Sequence, residues 1–220
     1  MFELNRKWAL FLNDEIISIL STTPLQFGWG RGVGIAGVAT RSSHRGQGYA
    51  SQLLNQVHIV STQNGEGAIY LFATRPEIYS RIGYQILDEA VRGEINARPR
   101  PGQSRQLTMQ EIRVIYDRWA CENPNRLIRD ERRWRLWQWN LKFCASFQGG
   151  YLAVEGPSVR EAIFAPETME SWPVPSGATW FGLKSMTETL GVPLKNMQSE
   201  LHLMGFQTDR IPEMFLTDQF

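Results

Sequence analysis

A short segment with two glycines, residues 38–50, carries the clearest chemistry in this sequence. It reads Val-Ala-Thr-Arg-Ser-Ser-His-Arg-Gly-Gln-Gly-Tyr-Ala, and apolar residues at helical spacing follow it. This pattern predicts a strand, a polar turn and an amphipathic helix that begins at the glycines. The first amides of a helix lack intrahelical acceptors and carry the positive end of its dipole. Gly46 and Gly48 let a ligand approach the backbone. Arg41 and Arg45 add positive charge, so the segment predicts a phosphate or pyrophosphate site.

Two common phosphate-binding motifs are excluded by the residues around these glycines. No Gly-Lys-Ser/Thr follows, so the lysine and the hydroxyl of a nucleotide P-loop are missing. The third glycine of the dinucleotide-binding fingerprint is also missing. A glycine turn before an ordinary helix is the structural alternative for this segment taken alone.

Residues 45–50, Arg-Gly-Gln-Gly-Tyr-Ala, resemble the Arg/Gln-x-x-Gly-x-Gly/Ala signature of the GCN5-related N-acetyltransferases (GNAT). In that family this loop holds the pyrophosphate of acetyl-coenzyme A (acetyl-CoA), and no metal is required. The resemblance implies the following pyrophosphate contacts: Arg45, Gly46, Gln47, Gly48, Tyr49 and Ala50. The strand before the loop is splayed from its neighbour in the family, and its backbone binds the pantetheine arm. That likeness implies further contacts from Val38, Ala39 and Thr40, with the N–H of Val38 or Ala39 polarising the thioester carbonyl.

A second segment, residues 76–84, resembles another element of the same family. It reads Pro-Glu-Ile-Tyr-Ser-Arg-Ile-Gly-Tyr and follows the apolar run 68–73, which predicts a short helix closed by glycine and an aromatic residue. The resemblance places Tyr79 near the coenzyme sulfur, where it would protonate the departing thiolate. A tyrosine at the edge of the core is the structural alternative. The sequence singles out no carboxylate as general base, and Glu66 and Glu77 are expected at the surface.

The resemblance implies an α/β (α+β) fold, a GNAT-like mixed twisted sheet with flanking helices. Asn13-Asp14 predicts a hairpin turn near the N-terminus. We infer two tandem GNAT-like halves separated by a Pro/Arg-rich linker near 98–102. We expect residues 1–92 to form the acetyl-CoA-binding half, without the family's usual first strand and helices. We expect residues 98–220 to form a degenerate half that completes the acceptor cleft.

Local patterns within the second half predict its elements. Apolar spacing predicts helices over 108–119 and 130–141, and Glu155-Gly156-Pro157-Ser158 predicts a hairpin between strands over 151–154 and 159–164. A strand over 178–183, a helix over 185–190 and a strand over 213–217 complete the expectation.

The tandem arrangement resembles the N-terminal region of the enhanced-intracellular-survival acetyltransferases. The likeness is clear over residues 8–88 and loose over 98–220, and the family's third, sterol-carrier-like domain has no counterpart. Acceptors in that family are amines, and its members assemble as oligomers. The resemblance therefore implies transfer of an acetyl group to a primary amine of a small molecule or peptide, by direct attack in a ternary complex. The C-terminal carboxylate that the family positions in its site is not carried over to Phe220.

Composition excludes several other classes of function. The 220 residues carry a net charge of +1 and are 42% hydrophobic, which argues against a nucleic-acid scaffold or a polybasic membrane binder. Polar residues interrupt the early apolar run, so neither a signal peptide nor a membrane span is expected. Cys121 and Cys144 are interpreted as reduced core thiols of a cytoplasmic protein.

Two alternatives to an enzyme remain open at this stage. The first is a non-catalytic acyl-CoA sensor or partner module that keeps the coenzyme loop without acceptor chemistry. The second is a nucleic-acid binder built on the arginines and tryptophans of 132–139. An amphipathic helix with solvated or capping arginines is the structural alternative for that segment.

Overall fold

The structure, a computed structural model, describes residues 5–96, 98–99, 105–140, 143–147, 149–163, 171–172 and 177–220. The strands are β1 Arg6–Leu12, β2 Glu15–Phe27, β3 Gly30–Thr40, β4 Ile69–Ala73, β5 Tyr84–Ile95, β6 Arg98–Pro99, β7 Phe143–Phe147, β8 Gly150–Glu155, β9 Ser158–Ile163, β10 Ser171–Trp172, β11 Thr179–Leu183 and β12 Leu194–Phe206. The helices are α1 Tyr49–Gln63, α2 Pro76–Ser80, α3 Met109–Cys121, α4 Glu131–Asn140 and α5 Lys184–Thr189.

The chain divides into two compact units. The first comprises Met1–Leu87, His202–Ile211 and Phe220, and the second comprises Asp88–Leu201 and Pro212–Gln219. The described part of the predicted 98–102 linker is the two-residue strand β6, which pairs with β10, and the rest of that linker lies outside the described residues. That the second half is a degenerate copy of the first stays a prediction.

The first unit is built on a mixed sheet. β1 and β2 form the predicted hairpin, and positive φ angles at Asn13 (49°) and Asp14 (64°) suit the tight turn between two twisted strands. β2 and β3 are antiparallel, β3 and β4 are parallel, and β4 pairs with the end of β12 in antiparallel register from His202–Ala73 to Phe206–Ile69. This long strand β12 was not predicted.

The core of the first unit lies between α1 and one face of this sheet. Leu53, Leu54 and Val57 of α1 are almost fully buried, because residues three and four apart share one face of a helix. They pack with alternate residues of the strands, including Val33 and Ile35 of β3, since successive strand residues point to opposite faces.

The second unit also contains a mixed sheet. β7, β8 and β9 are antiparallel, β9 and β11 are parallel, and β11 is antiparallel to β5. The predicted hairpin turn between β8 and β9 is confirmed. α3 begins with a capping box, in which the Thr108 hydroxyl accepts from the Glu111 amide while the Glu111 carboxylate accepts from the Thr108 amide. Mixed sheets with helices in both units confirm the α+β class.

A buried ionic cluster occupies the core of the second unit. The Arg129 guanidinium, with no exposed side-chain surface, lies 2.5 Å from a Glu161 carboxylate oxygen and 2.6 Å from an Asp218 carboxylate oxygen. Trp137 Nε1 and the Tyr151 hydroxyl donate to Glu161 at 2.6 Å and 2.7 Å. Because each buried charge has a partner and hydrogen bonds, the cluster avoids the cost of an isolated buried ion.

Two sequence interpretations of the second half are corrected by the structure. α4 leaves Arg132 and Arg135 exposed, as the amphipathic-helix alternative expects, but it buries Arg133 together with Trp134 and Trp137. The side chain of Trp139 lies outside the description. Residues 213–217 do not form a strand. Glu213 makes one isolated bridge and Leu216–Asp218 form a 3₁₀ turn. The backbone of Glu213 bonds with Asn125 and Leu127, and the Asp218 N–H then donates locally to the Phe215 carbonyl, as a turn requires.

The cysteine interpretation is half correct. Cys144 is buried as expected, whereas Cys121 is exposed at the end of α3, and both are free thiols. Among the described residues, no helix combines the length and apolar character that crossing a bilayer requires.

Candidate active site

The glycine segment forms a tight loop between β3 and α1. Residues Ser42–His44 make a single 3₁₀ turn, and Gly46 (φ 77°) and Gly48 (φ 83°) both adopt the left-handed conformation that favours glycine. A Cβ at either glycine would meet nothing within 4 Å. The backbone at these two positions therefore borders open space, as a site for an approaching ligand requires.

The N-terminus of α1 is left without a cap. Gly48 is the N-cap residue and has no side chain to accept a hydrogen bond, and the first turn of this fully described helix contains no acidic residue. The first hydrogen bond of the helix runs from the Gln52 N–H to the Gly48 carbonyl, at 3.0 Å. The amides of Tyr49, Ala50 and Ser51 thus lack intrahelical acceptors, and the dipole adds positive potential at the same place.

The two loop arginines have different surroundings. Arg41 forms an exposed ion pair with Glu15, which leaves little of its charge for a ligand. Arg45 is exposed, its Nε donates to the Thr40 carbonyl at 3.2 Å, and no carboxylate of the described residues pairs with it. Arg45 is therefore the better placed cation for an anion at the start of α1.

The predicted splay of β3 is present in the structure. β3 pairs with β4 only at Val33, Gly34 and Ile35, while its pairing with β2 continues to Thr40 through a bulge that contains Gly37 (φ 63°). The last five residues of β3 consequently have a backbone edge that β4 does not occupy.

The register decides which amides face this free edge. The Arg41 N–H donates to the Ile17 carbonyl at 2.8 Å, so Arg41, and by alternation Ala39, direct their backbone groups toward β2. Val38 and Thr40 then direct theirs away from β2, toward the gap beside β4. Of the two candidates for polarising a thioester carbonyl, this geometry favours Val38 over Ala39.

Tyr79 lies on the short helix α2, which begins with proline at its first position. Its half-buried ring packs against the same core cluster that Val38 contacts. The ring meets Tyr84 edge to face, with centroids 6.0 Å apart. Burial raises the pKa of the Tyr79 hydroxyl above its ordinary value, so this group is protonated at neutral pH and can serve as a proton donor.

The residues behind Tyr79 fix the end of its helix. Gly83 has φ 95°, and a Cβ there would be 3.1 Å from the Phe206 ring, so only glycine closes this turn without a shift. The buried Tyr84 hydroxyl lies 2.8 Å from His58 Nε2. Glu77, by contrast, is exposed and paired with Arg75 at 3.0 Å, as expected of a surface residue.

Sequence reasoning missed Phe220 at this site. Glycines within a strand indicate bulges or points of close ligand approach, and Gly37 is at a bulge. Gly34, however, lies against the ring of Phe220, so here the close approach is made by the protein itself. In the described part of the chain, no group of three or more His, Cys, Asp or Glu side chains is arranged to hold a metal ion.

The family match ends at residue 87, where the first continuous segment of the first unit also ends. Residues 1–87 match the family described as an acetyltransferase (GNAT) domain. No protein of curated function matches the sequence.

Several solved structures share the fold over most of the chain. A GCN5-related N-acetyltransferase from Kribbella flavida has a TM-score of 0.68 and 16% identity, over 91% of this chain and 60% of its own. A second GCN5-related N-acetyltransferase, from Anabaena variabilis, has a TM-score of 0.65 and 14% identity, over 90% and 62%. Eis1 from Mycobacterium abscessus has a TM-score of 0.60 and 16% identity, over 92% and 65%. The chain thus spans less than two thirds of the length of each. At such low sequence identity, the structural likeness shows a shared fold and no more.

Proposed function

From the match of residues 1–87 to the acetyltransferase (GNAT) domain family, we propose that the protein transfers an acetyl group from acetyl-CoA to a primary amine. The observation that carries the proposal is the uncapped start of α1, where two left-handed glycines border open space. Arg45 lies in the same loop and has no carboxylate partner among the described residues. Such a helix N-terminus suits a pyrophosphate, which carries negative charge and many acceptor oxygens.

The free edge of β3 supports the placement of the rest of the coenzyme. A pantetheine arm contains two amides, which can pair with the backbone of Val38 and Thr40 as an added strand would. The thioester then lies in the gap between β3 and β4, and the Val38 N–H is available to donate to its carbonyl oxygen.

The chemistry that these groups support is direct transfer within a ternary complex. The neutral amine attacks the thioester carbonyl carbon, a C–N bond forms, and collapse of the tetrahedral intermediate breaks the C–S bond. Tyr79 gives its proton to the departing thiolate, the amine loses its extra proton to solvent, and Tyr79 then takes up a proton from solvent. Because burial raises the pKa of Tyr79, its hydroxyl stays protonated at neutral pH and the proton is available when the thiolate departs.

The acceptor must reach the site uncharged. A free alkylamine has a pKa of about 10.4 and is mostly protonated at pH 7. We therefore expect kcat/KM to rise with pH toward that value, provided that the rest of the site keeps its protonation state. A small-molecule or peptide amine is the acceptor class that this proposal takes from the resemblance.

Binding is tested separately from turnover. We expect Arg45→Glu to weaken calorimetric affinity for acetyl-CoA at least about tenfold, because a charge-assisted contact is replaced by repulsion. We expect Gly48→Val to weaken the affinity for acetyl-CoA as well, because a β-branched residue does not readily adopt the φ of 83° found at this position. Arg75→Glu makes the same charge change at the exposed N-cap residue of α2 and is the matched control. Unchanged affinity in the Arg45 and Gly48 variants would reject the site.

Turnover is tested with a broad panel of amines and a dye that detects the released thiol. Tyr79→Phe should keep the affinity for acetyl-CoA and lower kcat, and full turnover across pH in this variant would show that Tyr79 is not the acid. If the wild type binds acetyl-CoA and acetylates none of the amines, the non-catalytic sensor becomes the better description.

A further inference from the structure

The ring of Phe220 lies directly on the backbone of Gly34. A Cβ built at Gly34 would be 2.1 Å from Cγ of Phe220, far inside van der Waals contact. The ring also lies beside the half-buried Phe72 of β4, with centroids 5.5 Å apart and planes inclined by 43°. Two neighbouring strands of the first unit therefore hold this ring, and Gly34 makes the room for it.

This contact lies where β3 and β4 begin to separate. Ile35, next to Gly34, is the last residue of β3 that pairs with β4. Val33 and Ile35 point into the core under α1, so by alternation the ring of Phe220 lies on the opposite face of the sheet. The gap between β3 and β4 is open to both faces of the sheet. A group bound where the gap closes can therefore contact side chains on either face.

The proposed path of the pantetheine arm ends at this point. An arm that begins at the glycine loop runs along β3 from Thr40 toward Ala36, which is about 13 Å at roughly 3.3 Å per residue. Its thioester carbonyl then lies at the Val38 N–H, and the acyl group beyond it lies beside Ala36, two residues from Gly34. The acyl group, which extends beyond the sulfur, points toward the closed end of the gap and the Phe220 ring.

We propose that the ring of Phe220 forms the end wall of the acyl pocket and restricts the donor to short acyl groups such as acetyl. The inference rests on the proposed function and adds a specificity-determining residue to that site. An acetyl group fits before the wall, whereas each further methylene must displace a ring that Gly34 and Phe72 hold in place. The wall is aromatic and its neighbours are apolar, so it excludes by shape and offers no polar contact to a charged acyl group.

The expected size of the effect follows from the burial of methylene groups. One buried methylene is worth a factor of about four in binding, so the two extra methylenes of a butyryl group are worth about fifteen. Discrimination of this order is typical of hydrophobic pockets. Without the Phe220 ring, the two extra methylenes of butyryl-CoA can be buried, so its binding should improve by about the same factor.

The experiment measures kcat/KM for acetyl-, propionyl-, butyryl- and hexanoyl-CoA with one amine that the wild type acetylates. We expect Phe220→Ala to raise the ratio of butyryl-CoA to acetyl-CoA turnover at least about tenfold, with Phe220→Leu in between. Phe11→Ala removes a ring of the same unit that is 59% exposed, and it should leave the ratio unchanged. Thermal unfolding of each variant establishes that it folds, and Phe220→Leu and Phe220→Met carry the test if Phe220→Ala does not fold.

The outcomes separate the two proposals. If the wild type uses acetyl-CoA and the Phe220 variants keep its acyl preference, the end wall is wrong and the acetyltransferase function stands. If Phe11→Ala changes the preference as much as Phe220→Ala, the effect is not local and the end wall is also wrong. If the wild type fails to bind any acyl-CoA by calorimetry, the proposed function fails and this inference fails with it.

Discussion

Acidification should weaken the first unit through one histidine in its core. His58 is 6% exposed on α1, its ring stacks on Phe206 with centroids 3.8 Å apart, and its Nε2 lies 2.8 Å from the Tyr84 hydroxyl. Burial disfavours the charged imidazolium and lowers the pKa of His58 to about 4. In the unfolded chain the same group titrates near 6.5.

The direction of the effect follows from these two pKa values. Between pH 6.5 and 4 the unfolded chain binds a proton that the folded protein does not bind, so stability falls as pH falls through this window. The contribution is fully present above pH 6.5 and fully lost near pH 4. A difference of about 2.5 pKa units corresponds to about 3 kcal/mol, of which about 2 kcal/mol is lost between pH 7 and pH 5.

The assay is urea unfolding at pH 7 and pH 5, followed by tryptophan fluorescence and by circular dichroism. The control is the double variant His58→Phe with Tyr84→Phe, which replaces both hydrogen-bonding partners by apolar rings and leaves no unpaired buried hydroxyl. Between pH 7 and pH 5, the double variant should lose about 2 kcal/mol less of its free energy of unfolding than the wild type loses.

The Glu111 carboxylate titrates below the interval from pH 7 to pH 5. Arg105 holds the pKa of the Glu111 carboxylate at about 2, and an unfolded glutamate titrates near 4.3, so that pair loses its contribution only below about pH 5. Equal losses of stability for the wild type and the double variant between pH 7 and pH 5 would therefore refute the assignment to His58.

The second unit offers two further predictions. Glu161→Gln removes one charge beside the buried Arg129 and should lower the free energy of unfolding by about 3 kcal/mol. Glu131→Gln, in an exposed pair with Arg113, is the control and should change the free energy of unfolding far less. Thr108→Ala removes the first residue of the capping box and should cost about 1 kcal/mol. Urea midpoints measure all three, and a Glu161→Gln protein as stable as its control would contradict the buried-charge argument.

The sequence predicted those parts of the site that depend on local chemistry. Gly46 and Gly48 need a left-handed backbone, and the helix begins right after them, because a glycine pair before an amphipathic run has few other solutions. The Asn13-Asp14 hairpin and the Pro76–Ser80 helix could likewise be predicted, because the residues that determine them are adjacent in sequence. Whether the loop residues and Tyr79 bind and convert acetyl-CoA stays a prediction.

The features that sequence reasoning missed depend on residues far apart in the chain. Nothing in the residues around Phe220 indicates that its ring lies on Gly34, and alternate glycines in β3 are equally consistent with ligand approach. The buried Arg129 was missed for a similar reason, since its partners Glu161 and Asp218 come from separate elements. Charged residues are usually exposed, so their pattern along the chain gives no signal of burial.

Strand β12 has a consequence for how the first unit is made. The edge of β4 that β12 covers is complete only when residues 202–206 are present, about 130 residues further along the chain. At roughly 5–20 residues per second, a ribosome needs on the order of ten seconds to synthesise that interval. During this time the apolar strand β4 has an open edge on a nascent chain, which is the kind of surface that chaperones cover and that promotes aggregation. A fragment cut near residue 92 would keep that edge open permanently.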